Sequence, residues 1–324
     1  MGCVACGNEK LGTFDWLSDL PKETLEPEIV EVHFKNTRKA FYTNELELEI
    51  KIGDKVTVEA INGHDIGVVS LTGRLATTQF DKKVPNKDRH IPKTIYRKST
   101  PKDIEAWQLA QKLDQPTMVR ARKIVSELGL IMKISDVEHQ GDGKKATFYY
   151  IADGRVDFRE LIKVFSSEFR VKIEMLQIGV RQEAGMIGSL GSCGRTLCCS
   201  SWRTRLPSIQ QSVIQAQNLS SNIDKYMGHC GKLKCCLTYE VDNYIDARKD
   251  FPKELLELDV REGTLYPFKT DVLKKTIWYS TKSNVPENLI EIGIEKIKEI
   301  LTLNKKAITP KIAELKPQTQ VHLF

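Results

Sequence analysis

Residues 188–202 read GSLGSCGRTLCCSSW, and residues 228–240 read GHCGKLKCCLTYE. Both carry the pattern Cys-Gly-basic-x-x-Cys-Cys. The first copy supplies Cys193, Cys198 and Cys199, and the second Cys230, Cys235 and Cys236. Six of the chain's eight cysteines therefore sit in two copies of one short motif, which calls for a common cause. Metal binding is one. Thiolates are soft, strong donors, and two such clusters brought together suit an iron–sulfur cluster or zinc. Gly194 and Gly231 allow the sharp turn that lets neighbouring sulfurs converge, while Arg195, Lys232 and Lys234 offset thiolate charge. Buried free thiols, packed as small hydrophobes in a duplicated element, are the plainer reading. Disulfides are disfavoured by the absence of a secretory signal pattern. Neither copy is a C-x-x-C pair, so thioredoxin-like exchange has little support.

Adjacent cysteines on an extended backbone point to opposite faces, which disfavours both members of a pair binding one ion. One Cys-x4-Cys from each copy is the economical four-sulfur set. The remaining thiols are expected to pack in the core or to face a second site.

The stretches MIGSLGSCGRTLCC (186–199), QAQNLSSN (215–222) and GHCGKLKCCLTYE resemble the RicT (YaaT) family of bacterial RNA-processing regulators. The run FYYIADGRVDFRELIKVFSSEFRVKIEMLQIGVRQEAG (148–185) and the upstream GDKVTVEAINGHDIGVVS (53–70) match the same family. The resemblance spans roughly residues 30 to 252. It implies a non-catalytic regulatory subunit that works with the endoribonuclease RNase Y and companion subunits. It also implies a [4Fe–4S] cluster held by cysteines of the repeat; the thiolates by themselves leave zinc as the alternative metal, in a zinc-stabilised RNA-binding protein without a sensing role. Gln182 departs from the family, which more often has Asp there, and the family's glycine-rich C-terminal pattern is blurred.

The 324 residues suffice for about two domains, and 40% apolar with 28% charged residues is ordinary for a globular chain. No window holds eighteen continuous apolar residues, so no membrane span is expected and a cytoplasmic location is. The uncharged run from Leu206 to Ile223 is filled with Ser, Gln and Asn. Net charge is +6, and Phe80–Lys102 alone, with eight Lys or Arg against two Asp, carries a surplus of that size. Such a patch, including Lys82 and Lys83, suits RNA or another polyanion. Pro85 and Pro92, with weak periodicity, suit a solvated basic linker at least as well.

The fold expected is α+β. Residues 1–26, with the pair Cys3 and Cys6, read as a flexible tail held by Trp16 and Leu17. Residues 27–80 carry short β runs (IVEVHF, KAFYT, KVTVEA, IGVVSL) broken by Gly53-Asp54 and Asn62-Gly63, the pattern of a small SH3-like barrel. Residues 81–100 read as the basic linker. Residues 101–252 read as an α+β core, a mixed sheet with helices followed by the cysteine-rich metal-binding segment. Its first helix begins at Thr100-Pro101 with Asp103 at the positive end and ends near Asp114, with a second starting at Pro116. Strands follow at 131–138 and 146–152, joined to a strand over 171–180 by a helix whose Phe158, Leu161, Ile162, Phe165 and Phe169 share one face. Residues 253–324 read as a C-terminal β segment and helix that completes the barrel.

No H-E-x-x-H, G-x-S-x-G or Walker sequence is present, so no enzymatic nucleophile and base can be named. Trp202, Arg203 and Arg205 beside the first cysteine set offer an aromatic and two cations to RNA or a partner; a rim around the metal site is the structural alternative.

Overall fold

The computed structural model describes residues 10–17, 28–84, 92–220, 222–252, 256–283, 285, 287–306 and 308–312. Cys3, Cys6 and residues from 313 onward lie outside them. The chain divides into two compact units, one of 1–206 with 229–231 and one of 207–228 with 232–324.

The first unit begins with a closed barrel. Strands β1 (Ile29–His33), β2 (Lys39–Thr43), β3 (Lys55–Glu59) and β4 (His64–Leu71) form where alternating β-branched residues point inward. Helix α1 (Gly73–Lys83) follows, and β5 (Lys93–Lys98) closes the order β1-β2-β5-β3-β4. Val30, Val32, Val56, Val58, Val69 and Ile95 fill the interior. The linker expected over 81–100 thus gives way to the last turn of α1 and a barrel strand. Strand β5, KTIYRK, buries only Ile95 and turns its cations outward, so its composition reads as solvated chain.

Helix α2 (Pro101–Glu127) has the reciprocal cap its sequence promises. Thr100 Oγ1 accepts the Asp103 N–H at 3.3 Å, and Asp103 Oδ2 accepts the Thr100 N–H at 2.8 Å. That bonding outweighs desolvation and holds the Asp103 carboxyl below the usual carboxylate range. The break expected at Pro116 does not occur. A proline deletes one backbone bond, while Ala110, Asp114, Thr117, Ala121 and Ile124 keep a continuous buried face across it.

The helix leads to a three-stranded sheet of β6 (Lys133–His139), β7 (Lys145–Ile151) and β8 (Lys172–Gln177), antiparallel then parallel. Helix α3 (Arg159–Phe169) makes the crossover, and its Leu161 and Phe165 are fully buried in one core with Phe148 of β7. Barrel and sheet are joined by buried polar groups. Arg38 bonds Asp65 Oδ2 at 2.8 Å and Glu138 Oε1 at 2.9 Å. Lys35 Nζ reaches Asp114 and Asp136 at 3.0 and 2.8 Å. His139 Nδ1 lies 2.7 Å from Asp114 Oδ1.

In the second unit, α6 (Ser212–Ala216) and α7 (Cys236–Arg248) pack through Ile214, Leu233 and Leu237. Strands β9 (Leu258–Val260), β10 (Gly263–Asp271), β11 (Thr276–Ser280) and β12 (Ile290–Gly293) form an antiparallel sheet backed by α8 (Ile294–Asn304). These strands do not complete the barrel. Strand β5 has already closed it, and Leu258, Ile277, Tyr279 and Ile292 form a separate core with Ile297.

Candidate metal centre

The two cysteine motifs fold as the same hairpin. In the first, Leu190 bridges Thr196, the Gly191 N–H donates to the Arg195 carbonyl at 2.8 Å, and the Leu197 N–H donates to that of Ser189 at 3.0 Å. In the second, Met227 bridges Leu233, the Gly228 N–H donates to the Lys232 carbonyl at 2.8 Å, and the Lys234 N–H to that of Tyr226 at 2.8 Å. Both turns need a left-handed residue after the first cysteine, and Gly194 and Gly231 supply it at φ of 76° and 66°.

A helix follows each hairpin at its paired cysteines. Helix α4 (Val180–Ile187) precedes the first hairpin, and α5 (Cys198–Ser201) leaves it. Cys235 is the N-cap of α7 and Cys236 its first residue. The cysteine pairs are therefore not extended. Adjacent side chains on a helix diverge by about 100° rather than lying on opposite faces, which changes the geometry expected from the sequence but still separates the two sulfurs of a pair.

The six thiols form no disulfides and differ in surroundings. Cys193 and Cys236 are exposed, Cys198, Cys230 and Cys235 half-buried, and Cys199 buried. Cys199 packs against α4 at Gly185, where a β-carbon would stand 2.7 Å from the Cys199 carbonyl oxygen. Cys193, Cys198, Cys199 and Cys230 fall in the first unit, Cys235 and Cys236 in the second. The turn of the second hairpin reaches the first hairpin inside the first unit, with His229 Nε2 3.0 Å from the Leu190 carbonyl. Among the described residues, no three His, Cys, Asp or Glu side chains are gathered as a metal-binding set. The donors fit a thiophilic metal in kind: two Cys-x4-Cys pairs on matching turns, with a fifth thiol withdrawn into the packing.

The basic residues divide. Arg205 donates to the Lys82 carbonyl at 3.4 Å and Arg203 Nε to the Arg205 carbonyl at 3.2 Å, so Arg203, Arg205 and Lys82 share one patch. Trp202 is 55% exposed nearby in sequence. Lys83 turns away to Glu31, at 3.1 Å, and over the Phe41 ring. Lys234 Nζ bonds the Lys225 carbonyl at 2.9 Å, while Arg195 and Lys232 are exposed on their hairpins.

One support has no sequence signal. Lys10 Nζ donates to the Met186 carbonyl, to that of Ile187 at 3.3 Å and to Asn36 Oδ1 at 3.3 Å. The Leu11 N–H donates to the Ser200 carbonyl at 2.8 Å, and Lys39 Nζ to that of Leu11 at 2.9 Å. Two residues thus stitch the barrel to both ends of the first cysteine hairpin. Leu17, as expected, packs on Leu71, Leu75 and Ala76, whereas Trp16 is 68% exposed.

Three family models match: the PSP1 C-terminal conserved region over 93–178, the PSP1-like third domain over 208–251 and the YaaT C-terminal domain over 259–306. The chain is 37% identical over 225 residues to the stage 0 sporulation protein YaaT of Bacillus subtilis, covering 69% of this chain and 79% of that protein. The chain belongs to the YaaT family. An uncharacterized protein of Schizosaccharomyces pombe is 30% identical over 171 residues, 45% of this chain and 23% of its own length. No solved structure matches. The YaaT C-terminal match falls on β9–β12 and α8, so the blurred glycine pattern there does not remove the C-terminal domain from the family. No helix among the described residues is long and apolar enough to cross a membrane.

Proposed function

We propose that this YaaT-family protein is a non-catalytic cytoplasmic regulatory subunit that alters mRNA processing by an RNase Y-type endoribonuclease through protein contacts. We assign a [4Fe–4S] cluster to its cysteine hairpins. The observation that carries this reading is the duplicated hairpin, two copies with the same hydrogen bonds and each presenting a Cys-x4-Cys pair. The residues that would hold the cluster are Cys193, Cys198, Cys230 and Cys235. Bound there, it would tie the two hairpins together, so that metal affinity becomes folding free energy for that segment. The chain's own part is positional. Gly194 and Gly231 set the turns, Lys10 and Leu11 fix the base of the first hairpin, and Arg195 and Lys232 balance thiolate charge.

Protein purified without air is expected to be brown, with iron and sulfide in cluster stoichiometry, and Cys198→Ser is expected to lose most of both. The same variant should weaken nuclease binding far more than it destabilises the barrel, which has its own core. A colourless protein carrying zinc would replace the cluster reading with that of a zinc-stabilised RNA-binding protein without a sensing role. Equal loss of nuclease binding and barrel stability would remove the regulatory role.

The patch of Lys82, Arg203 and Arg205 supports RNA contact. Charge reversal at Lys82 and Arg205 together is expected to weaken RNA binding and flatten its salt dependence, since each lost phosphate contact lowers the slope. An unchanged salt slope would leave the patch as surface. Lys83 is left out of this test because its partner is Glu31.

A further inference from the structure

Cys3 and Cys6 form a C-x-x-C pair that the cluster reading leaves unused. Lys10 comes four residues after Cys6 and seven after Cys3, and it is pinned to the first cysteine hairpin. Its ammonium bonds the carbonyls of Met186 and Ile187, and the Leu11 N–H bonds that of Ser200. A β-carbon on Gly188 would stand 3.2 Å from Lys10 Cε, so Lys10 lies directly on that glycine. The chain ahead of Lys10 therefore starts at the base of the hairpin. At about 3.5 Å per residue, full extension keeps Cys6 within about 14 Å of Lys10 and Cys3 within about 25 Å. Gly188 and Cys193 are five residues apart, at most about 18 Å along the chain. Covalent reach alone thus covers the hairpin.

The hairpin offers a seat of matching chemistry. Ile187 and Leu190 are 68% and 61% exposed. Gly188 and Gly191 beside them carry no side chain, which lets a second backbone approach closely. The stretch MGCVACGNE (1–9) brings Met1, Val4 and Ala5, and Glu9 is its one charged side chain. Cys193 is exposed at the turn. Its Sγ lies 3.5 Å from where a β-carbon on Gly191 would stand, turned back toward the strand that leads to the Lys10 anchor. We propose that residues 1–9 dock on the first cysteine hairpin over Ile187 and Leu190, and that Cys3 and Cys6 serve there as a dithiol that bridges to Cys193 when no metal holds it. This needs only free thiols and does not depend on whether the metal is iron or zinc.

The exchange is balanced by a small-molecule disulfide. Glutathione disulfide caps Cys3 or Cys6 and releases one glutathione thiol. The Cys193 thiolate attacks the capped protein sulfur, an S–S bond forms, and a second glutathione leaves as thiolate. Two protein thiols are oxidised and one glutathione disulfide is reduced.

The test is to equilibrate the full-length, metal-free chain with a glutathione redox buffer, quench it in acid and map its disulfides by mass spectrometry. The main product is expected to join Cys3 or Cys6 to Cys193. Inserting about twenty Gly and Ser residues after Gly7 should lower the ratio of bridged to glutathione-capped protein about ten-fold, because effective concentration falls as roughly the −3/2 power of tether length. That insertion leaves the barrel and both hairpins untouched. Leu190→Ser should lower the same ratio while keeping the hairpin, whose bonds at Leu190 are made by its backbone. Disulfides confined to Cys3–Cys6 or to the hairpin cysteines would overturn the proposal, and so would a bridge that neither variant weakens. The cluster reading would survive either result, since it draws on neither Cys3 nor Cys6.

Discussion

Glu31→Gln is expected to destabilise the barrel by about 3–5 kcal/mol at neutral pH, the usual cost of breaking a buried ion pair from one side. Glu31 lies on β1 with its side chain 1% exposed. Lys39 Nζ is 2.7 Å from Oε1, Lys83 Nζ 3.1 Å from Oε2, and the Ser70 hydroxyl donates to Oε1 at 3.0 Å. Burial pushes the Glu31 carboxyl up, but Lys39 and Lys83 together outweigh burial and hold it below the ordinary glutamate range. A carboxyl whose folded pKa is depressed contributes its full stability above its unfolded pKa, about 4.3. It loses that contribution as pH falls through the lower, folded value. The stability gap between wild type and Glu31→Gln should therefore be largest near pH 7 and shrink as pH drops below about 4. Urea unfolding of both proteins at pH 7 and pH 3 checks this. Two stability curves that stay parallel through acid would show that Glu31 is not a linked group.

The contrast between residues that announced their place and those that did not is physical. Thr100, Pro101 and Asp103 act within one turn, so the start of α2 was readable. Phe158, Leu161 and Phe165 repeat at helical spacing, and the face they make is the buried one. The cysteine hairpins were readable as a duplication because Gly194 and Gly231 answer a backbone need that no other residue type meets as cheaply. Strand β5 was hidden because a barrel strand with one buried side chain looks like basic linker. The continuity of α2 through Pro116 was hidden because local propensity was overridden by a buried face on either side. The hairpin end of the anchor made by Lys10 and Leu11 consists of carbonyls more than 170 residues away, at Met186 and Ile187 for Lys10. A lysine in a polar terminal stretch gives no local sign of that. Nor could the sequence say that Cys199 is buried while its counterpart Cys236 is exposed. The motifs are equal, but Cys199 packs against α4 at Gly185.

Arg38→Met is expected to cost the first unit about 3 kcal/mol, the lower end for a broken buried ion pair, because the Arg38 side chain is itself partly exposed. What it leaves behind is the larger problem. The side chains of Glu138 and Asp65 are only 8% and 10% exposed, and both would be left without their cation. Their remaining bonds do not replace it. Glu138 keeps the Tyr149 hydroxyl at 2.7 Å and the Lys35 N–H at 3.2 Å, and Asp65 keeps the Gly141 N–H at 2.9 Å. The same carboxylates, after the cost of burial, raise the guanidinium pKa well above its ordinary value, so Arg38 stays charged throughout the accessible pH range. The seam reaches the cysteine hairpin by a short path. Asn36 Nδ2 donates to Asp136 Oδ2 at 2.6 Å, and Asn36 Oδ1 accepts from the Lys10 ammonium that also bonds the carbonyls at the end of α4. Loosening the barrel from the sheet should therefore speed hydrogen exchange in residues 186–203 as well as at the seam. Urea unfolding monitors the first effect and exchange mass spectrometry the second. An unfolding midpoint unchanged by Arg38→Met would mean that the two carboxylates find water, and the seam would then fix no more than the orientation of the hairpin's support.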